Sequence, residues 1–147
     1  MPEPLRFYQP TTLDAAIGLL ADHGEEAKVI AGATALTILM RQRLVAPAAL
    51  VSIGSIPGLD GIGLVDGRLH LGAMVRHRDV ERSELVGTTI RVLAETFAKV
   101  ANVRVRNAAT VGGVLAESDY ASDPPAVLLA LDAEVEVRGP RDRKSVV

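Results

Sequence analysis

The sequence predicts a small protein of mixed helices and strands, folded as one globular domain or as a pair of lobes that share an interface. Its 147 residues, 48% of them hydrophobic, are enough to bury one sizeable core. Segments with apolar residues three and four apart, typical of helices, alternate with short apolar runs typical of strands. The Asp66-Gly67 pair between alternating apolar residues predicts a β-hairpin.

The first predicted elements are a helix, a strand and a second helix. The Thr11-Thr12 pair offers a capping residue to a helix that ends near Gly24. Residues 28–31 are expected to form a short buried strand that leads into a loop containing Gly32. A helix is predicted over residues 34–44, because the apolar residues there have helical spacing and arginines occupy the last turn.

The middle of the chain is predicted to contain a strand, the hairpin and two helices. Residues 49–53 form another apolar run, and the hairpin occupies residues 61–74. Helices are expected at residues 78–85 and 88–101, the second of which has a clear apolar face.

The last part of the chain contains a second glycine loop, at residues 109–113. Before it, Arg104 and Arg106 alternate with valines, which predicts a half-buried strand or an extended segment. A helix at residues 124–131 and a strand at residues 133–138 follow the loop. The remaining residues are expected to be a turn and the opening of a partner strand, so that the chain is a fragment or a natural truncation.

Composition excludes several classes of function. The 16 basic and 18 acidic residues are interspersed, and a net charge of −2 gives no single-sign field for nucleic acid or anionic lipid. Without cysteine, the chain has no disulfide, thiolate zinc site or iron–sulfur cluster of its own. No apolar stretch approaches the ~18 residues of a membrane span, so a soluble, cytoplasmic protein is expected. The three histidines lack metal-ligand spacing, and neither a metal site nor a catalytic residue is predicted.

Two glycine-containing segments are the candidate binding sites: the first loop, residues 31–36, and the second loop, residues 110–115. A bound pyrophosphate needs several hydrogen-bond donors and no bulky side chains, and consecutive backbone N–H groups at a glycine turn before a helix meet both needs. Thr34 and Thr110 add hydroxyl groups. Either loop alone is more often an ordinary turn. A Rossmann fingerprint and a Walker loop are both absent, which disfavours the usual NAD-binding fold and ATP.

Both loops resemble those of a known family. Residues 29–36, VIAGATAL, followed by Met40-Arg41, resemble the first flavin loop of the FAD-binding subunit of molybdenum hydroxylases. This family includes carbon monoxide dehydrogenase medium subunits and xanthine dehydrogenase FAD-binding domains. Residues 105–113, VRNAATVGG, with Asp119 and Asp123 after them, resemble its second flavin loop. The resemblance covers nearly the whole chain.

The resemblance implies an α+β fold: the two-lobed FAD-binding domain of the p-cresol methylhydroxylase and xanthine dehydrogenase flavin type, with the C-terminal domain of the family absent. Residues 1–54 would form an N-terminal FAD-binding lobe with a three-stranded sheet. Residues 55–147 would form the second FAD-binding lobe, truncated at its C-terminus.

The resemblance also implies an extended FAD, with its pyrophosphate on the first loop and the second loop near the pyrophosphate and the ribityl chain. Asp123 would accept a hydrogen bond from the ribityl hydroxyls or the flavin edge, although it is also a natural N-cap. The implied cofactor-binding residues are Ile30, Ala31, Gly32, Ala33, Thr34, Ala35, Leu36, Thr110, Gly112, Gly113, Val114, Glu117 and Asp123.

The implied function is electron transfer in a molybdopterin-dependent dehydrogenase. FAD would take electrons from a 2Fe-2S small subunit, which receives them from a molybdopterin-binding large subunit, and would pass them to an external acceptor. Substrate oxidation would occur on the large subunit.

Several positions depart from the family's pattern and leave alternatives open. Ala33 replaces a frequent glycine, Ala35 and Val114 replace usual polar residues, and Glu117 adds a negative charge near the expected diphosphate. The alternative function is a truncated or diverged scaffold subunit that docks in such a complex without firmly holding FAD. A flavoenzyme of the cell-wall reductase or phenol-oxidase class is a further alternative, but it would need a substrate domain for which this chain has no room.

Overall fold

The computed structural model describes residues 4–140 and 143–146. These residues form two compact units, each built from helices and strands, which confirms the mixed fold class. The first unit runs up to Pro57 and includes Glu134–Val146, and the second unit is Gly58–Ala133. The division into two cofactor-binding lobes at residue 54 stays a prediction. The compact units are divided differently, because the last strands belong to the first unit.

The first unit contains a parallel sheet with an α-helix against it. Strand β1 (Arg6–Tyr8) is followed by helix α1 (Leu13–His23), β2 (Ala27–Ile30), helix α2 (Leu36–Arg41) and β3 (Ala49–Ser52). The strand order is β1-β3-β2, so β3 is central, and its first three residues are buried as expected for a parallel sheet.

Local capping explains the position of α1. The hydroxyl oxygen of Thr12 accepts a hydrogen bond from the N–H of Ala15 at 3.2 Å, and Gly24 ends the helix with a φ of 54°. Ala16 is the buried residue of α1, which packs against β2 and β3. The prediction of a capped helix ending near Gly24 is therefore confirmed.

Two predictions for the first unit were wrong in detail. Residues 28–31 were expected to be a buried strand, but β2 is an edge strand in which Lys28 and Val29 are exposed, since only β3 lies beside it. The helix predicted over residues 34–44 is limited to α2, because Ala33 and Arg43 both have positive φ values, 61° and 59°, which helical residues do not adopt.

The second unit begins with the predicted hairpin. Strands β4 (Ile62–Val65) and β5 (Arg68–Leu71) are antiparallel and register Val65 with Arg68. Asp66 and Gly67 connect them with φ values of 51° and 76°, the two positive angles that a type I′ turn requires. The hairpin prediction is confirmed.

Three helices follow where two were predicted: α3 (His77–Arg82), α4 (Glu84–Thr89) and α5 (Arg91–Lys99). The additional break lies at Ser83, whose hydroxyl oxygen accepts a hydrogen bond from the N–H of Val86 at 3.2 Å and so caps α4. The apolar core of this unit comprises Val75, Val80, Val86, Leu93, Ala94, Phe97 and Val111.

The rest of the chain contains α6 (Val103–Arg106), α7 (Val111–Glu117), α8 (Asp123–Ala130), and the antiparallel strands β6 (Val135–Arg138) and β7 (Arg143–Val146). The strand or extended segment predicted at Arg104 and Arg106 was wrong. The side-chain oxygen of Asn102 accepts hydrogen bonds from the N–H groups of Arg104 and Val105, which starts the short helix α6. The predicted partner strand near the end corresponds to β7, while residues 141, 142 and 147 of that prediction lie outside the described residues.

None of the helices in the described part of the chain is long and apolar enough to cross a membrane.

Candidate functional site

The first loop connects β2 to α2 at the carboxyl end of a parallel strand. Ala33 takes a φ of 61° within it, a conformation that favours glycine. The carbonyl of Ala33 accepts hydrogen bonds from both the N–H and the hydroxyl group of Thr37, at 3.1 and 2.7 Å. The carbonyl of Ala35 accepts from the N–H groups of Ile38 and Leu39, at 3.0 and 3.1 Å. Two of the loop's carbonyl groups are therefore used inside the protein.

The backbone N–H groups of the first loop differ from these carbonyl groups. Within residues 4–140 and 143–146, the backbone N–H groups of residues 32–36 donate no hydrogen bond, and all five residues are partly exposed. Successive unpaired N–H groups near a residue with positive φ form an anion-binding concavity, and the start of α2 adds a favourable dipole. The first loop can thus hold an anion with several oxygens, such as a diphosphate.

The second loop is not a loop. Thr110 is the capping residue of α7, and Val111 to Leu115 form the first turns of that helix. The prediction was wrong because two adjacent glycines normally disfavour a helix, whereas here hydrogen bonds from outside the helix fix its start. Thr110 is buried, and its hydroxyl oxygen accepts a hydrogen bond from the N–H of Gly113 at 3.1 Å.

The N–H groups at the start of α7 all have internal acceptors. Val111 donates to the carbonyl of Val75, and Gly112 donates to the carbonyl of Ala73, both at 2.9 Å. Gly113 donates to the Thr110 hydroxyl at 3.1 Å. The start of α7 is therefore bonded to the segment that leaves the hairpin, and its amides are not open donors like those of the first loop.

The two glycines of α7 are required for close packing. A Cβ atom at Gly112 would lie 2.8 Å from the Cβ and 2.9 Å from the carbonyl oxygen of Ala73. A Cβ atom at Gly113 would lie 2.8 Å from the Thr110 hydroxyl oxygen. Because Gly112 lies against backbone atoms of Ala73, position 112 needs glycine whether or not a ligand approaches it. A Cβ atom at position 113 would instead displace the Thr110 hydroxyl that caps α7.

His77 contacts the residues at the start of α7. No structural role was predicted for it from the sequence. Its Nε2 lies 3.1 Å from the carbonyl oxygen of Thr110, and its backbone N–H donates to the carbonyl of Ala109 at 2.9 Å. The ring is 2% exposed and packs edge-on against Phe97, with the ring centroids 4.8 Å apart. Nothing in the sequence pattern could reveal a contact that joins positions 33 residues apart.

Burial controls the charge of His77. Desolvation lowers the pKa of its imidazole below the ordinary value, the hydrogen bond to Thr110 raises it, and the positive charge of Arg106 lowers it further. The net effect favours the neutral ring.

Arg106 and Glu81 form an ion pair beside this region. The Nε of Arg106 donates to one Glu81 carboxylate oxygen at 3.0 Å, and Arg78 donates to the other at 2.6 Å. Burial raises the pKa of the Glu81 carboxyl, but the hydrogen bonds from the two arginines outweigh it and leave that pKa below the usual value. Arg106 also donates to the carbonyl of Val100, at 2.9 Å, at the end of α5. Its role in this unit is structural.

The remaining predicted residues lie apart from these contacts. Ile30 ends β2, and Val114 is a buried residue of α7. Glu117 is exposed at the end of α7, where Ser118 takes a φ of 54°. Asp123 is the exposed first residue of α8. Its predicted capping role was wrong, since Ser122 occupies the capping position and makes no side-chain capping bond. Residues 30–36 belong to the first unit, and the predicted site residues from Thr110 to Asp123 belong to the second.

A family model described as the FAD binding domain in molybdopterin dehydrogenase matches residues 3–147. The chain belongs to this family. The predicted family and FAD as the cofactor of that family are thereby confirmed. Because the first loop presents open N–H groups, its residues fit the diphosphate of FAD. At the start of α7, Gly112 and Gly113 are partly exposed, but residues 111–113 offer no free amide.

Relatives and solved structures agree with the family. The chain is 37% identical to the 6-hydroxypseudooxynicotine dehydrogenase complex subunit alpha of Paenarthrobacter nicotinovorans, over 92% of the chain and 46% of the relative. It is 32% identical to the carbon monoxide dehydrogenase medium chain of Hydrogenophaga pseudoflava, over 99% of the chain and 51% of the relative. The chain spans about half the length of the curated relatives it matches.

The fold also matches. A solved structure of carbon monoxide dehydrogenase from Hydrogenophaga pseudoflava superimposes with a TM-score of 0.94 and 33% identity, over 99% of this chain and 51% of the other. Quinoline 2-oxidoreductase from Pseudomonas putida 86 gives a TM-score of 0.93, also at 33% identity and over the same shares of the two chains. The α+β FAD-binding fold predicted from the sequence is confirmed.

Proposed function

We propose that this chain binds FAD and serves as the electron-transfer component of a molybdopterin-dependent dehydrogenase. In this proposal the chain would hold the FAD through which electrons from a partner iron–sulfur subunit would reach an external acceptor. The single observation that carries the proposal is the row of open N–H groups at residues 32–36, in a chain whose family is defined by FAD binding.

The first loop holds the diphosphate in this proposal. The N–H groups of residues 32–36 donate to its oxygens, and the hydroxyl of Thr34 lies in the same loop and adds a donor. Ile30 and Ala31 bring the chain from β2 into the loop. When bound, the isoalloxazine of FAD supplies the redox chemistry, and the protein supplies binding and orientation.

The predicted site residues of the second unit, from Thr110 to Asp123, are proposed to contribute a surface for FAD and no backbone N–H donors from residues 111–113. The absence of side chains at Gly112 and Gly113 leaves the start of α7 flat, while Thr110 and the hairpin exit hold the backbone rigid. Asp123 is exposed at the first turn of α8 and is available to accept a hydrogen bond from a ribityl hydroxyl. Val114 supports α7 from the core, and Glu117 lies at its other end.

The proposed partners are a molybdopterin-binding large subunit and a 2Fe-2S small subunit. Relatives named as a medium chain and as a subunit of a dehydrogenase complex support this proposal. Co-expression with an iron–sulfur subunit from the same operon is expected to yield a complex that co-elutes. Separate elution would contradict the partner assignment. A cytoplasmic location stays a prediction.

One observation favours a second candidate function, a scaffold subunit that docks without firmly holding FAD. The N–H groups of residues 111–113 are all bonded internally, so one of the two predicted loops offers no amide to the cofactor. Measured FAD affinity separates the two candidates.

The test compares two variants, each of which adds one negative charge near one end of α2. Thr34→Glu places a carboxylate beside the open N–H groups, and Gln42→Glu places one at the exposed C-terminal end of α2. FAD is titrated into each variant and followed by the quenching of flavin fluorescence. Thr34→Glu is expected to weaken FAD binding at least tenfold, and Gln42→Glu to leave it within about twofold. Equal FAD affinity of the two variants would show that the first loop does not bind FAD.

A further inference from the structure

Among the described residues, the buried ring of His77 makes one hydrogen bond, and its other nitrogen has no partner. Its Nε2 faces the carbonyl oxygen of Thr110, which can only accept, so Nε2 carries the hydrogen. Nδ1 is then a bare acceptor, and it has no hydrogen-bond partner in the described chain. The protonated ring would instead place a second N–H, without an acceptor, in a buried position.

Within the described residues, no carboxylate forms a hydrogen bond with the His77 ring. The charged neighbour that acts on the ring is Arg106, which repels a second positive charge. Glu81, one turn further along α3, is already bonded to Arg78 and Arg106. The other charged residues of the helices packed around the ring are exposed: Asp79, Arg82, Glu84, Arg91, Glu95, Lys99, Arg104 and Glu117. The carboxylate of Asp79 accepts a hydrogen bond from the N–H of Arg76 at 3.3 Å.

The contact of His77 with Thr110 reaches the start of α7 directly. Thr110 is the capping residue of that helix, and its neighbours Val111 and Gly112 are bonded to Val75 and Ala73. Loss of the His77 contact would therefore loosen the same three residues that give α7 its position.

We propose that His77 is a positioning residue of the FAD site: its neutral ring fixes Thr110 and the start of α7, and the protonated ring leaves its buried position for solvent, which releases both and weakens FAD binding. The effect on FAD rests on the function proposed above. The effect on α7 does not require FAD, so the two parts fail separately.

The first experiment measures amide hydrogen exchange in the FAD-free chain. Protection of the Val111 and Gly112 N–H groups, corrected for the intrinsic exchange rate, is followed from pH 8 to pH 5. It is expected to be constant above about pH 6.5, the ordinary pKa of histidine, and to fall by up to about tenfold per pH unit below it. The amide of Phe97, inside α5, is expected to lose less protection, because the opening is local to α7. Constant protection of Val111 and Gly112 below pH 6.5 would overturn the proposal.

Two variants of His77 separate the hydrogen bond from the titration. His77→Gln keeps an N–H donor for Thr110 but does not titrate, so its protection is expected to be independent of pH. His77→Leu has no donor, and its protection is expected to be reduced at every pH. His70→Gln, in exposed β5, is the matched control and should behave like the wild type. The same pH dependence in wild type and His77→Gln would also overturn the proposal.

If a variant folds poorly, titration of the histidine rings by NMR tests the same proposal in the wild-type chain. In the wild-type chain, the Gly112 and Gly113 amide shifts should change together with the His77 ring and not with His23 or His70. Changes that follow either of those rings would contradict the proposal.

The second experiment measures FAD affinity at pH 7.5 and pH 5.5. The wild type is expected to bind up to about tenfold more weakly at the lower pH, and His77→Gln equally at both. Equal loss in both proteins would refute the cofactor half of the proposal. Failure of the wild type to bind FAD at either pH would instead refute the proposed function, and the exchange experiment would still decide whether His77 holds α7.

Discussion

Gly112 donates its N–H to the carbonyl of Ala73 at 2.9 Å, and a Cβ atom at position 112 would lie 2.8 Å from the Cβ of Ala73. The start of α7 therefore lies against the segment that leaves the β4–β5 hairpin with no space for a methyl group. Position 112 therefore requires glycine for a structural reason that does not depend on a cofactor.

Gly112→Ala is expected to lower the free energy of unfolding by about 1–3 kcal/mol, because the new methyl group meets backbone atoms that cannot move away cheaply. Gly87→Ala is the matched control. It lies inside α4, where a Cβ atom meets nothing within 4 Å, and it should stabilise the protein by about 0.5–1 kcal/mol. Urea denaturation of both variants checks the pair. Equal effects would show that the start of α7 is looser than the structure indicates.

Ala33→Gly is expected to raise the free energy of unfolding by roughly 1 kcal/mol. The φ of 61° at Ala33 is costly for any residue with a Cβ atom, and glycine removes that cost. Ala46→Gly, in an exposed irregular segment where φ is not positive, should instead destabilise by up to about 1 kcal/mol. Thermal denaturation measures both, and destabilisation by Ala33→Gly would count against the loop conformation.

Arg106→Gln is expected to destabilise the protein by about 2–3 kcal/mol. The Arg106 and Glu81 side chains are only 13% and 17% exposed, so the change leaves a largely buried carboxylate with Arg78 alone and removes the donor to the Val100 carbonyl. Arg104→Gln, in the same short helix but exposed, should change stability by less than about 0.5 kcal/mol. Similar values for the two variants in urea denaturation would contradict a structural role for Arg106.

Acidification is expected to destabilise the chain in two steps. The folded pKa of His77 is lowered, so the unfolded chain takes up a proton first, and stability falls as the pH drops below about 6.5. The folded pKa of Glu81 is also lowered, so its contribution is complete above about pH 4.5 and is lost as the pH falls further. Urea midpoints measured from pH 8 to pH 4 check this, and His77→Gln should remove the first step. A midpoint that rises between pH 6.5 and pH 5 would contradict the sign.

Local signals in the sequence predicted the elements that local interactions determine. The capped helix α1 and the Asp66-Gly67 turn depend on residues close to one another in the chain, and both predictions were confirmed. Recognition of the family likewise depended on short segments. The helical start of α7 could not be predicted, because bonds to Val75 and Ala73, more than thirty positions away, hold a glycine pair in a helix.

The relative importance of the two loops also changed for a reason that the sequence does not contain. From residue types, both loops were candidates to donate backbone N–H groups to the pyrophosphate of FAD. In the structure their N–H groups are occupied, and the open donors belong to residues 32–36. Which backbone groups remain unpaired depends on tertiary contacts, so it became visible only in three dimensions.

The most direct measurement is the visible absorption spectrum of the purified chain after incubation with FAD and gel filtration. We expect the two flavin absorption bands in the protein peak, at close to one FAD for each chain. Thr34→Glu is expected to lose the bands, and Gln42→Glu is expected to keep them. A colourless wild-type protein after incubation with saturating FAD would contradict FAD binding by this chain and would favour the scaffold alternative.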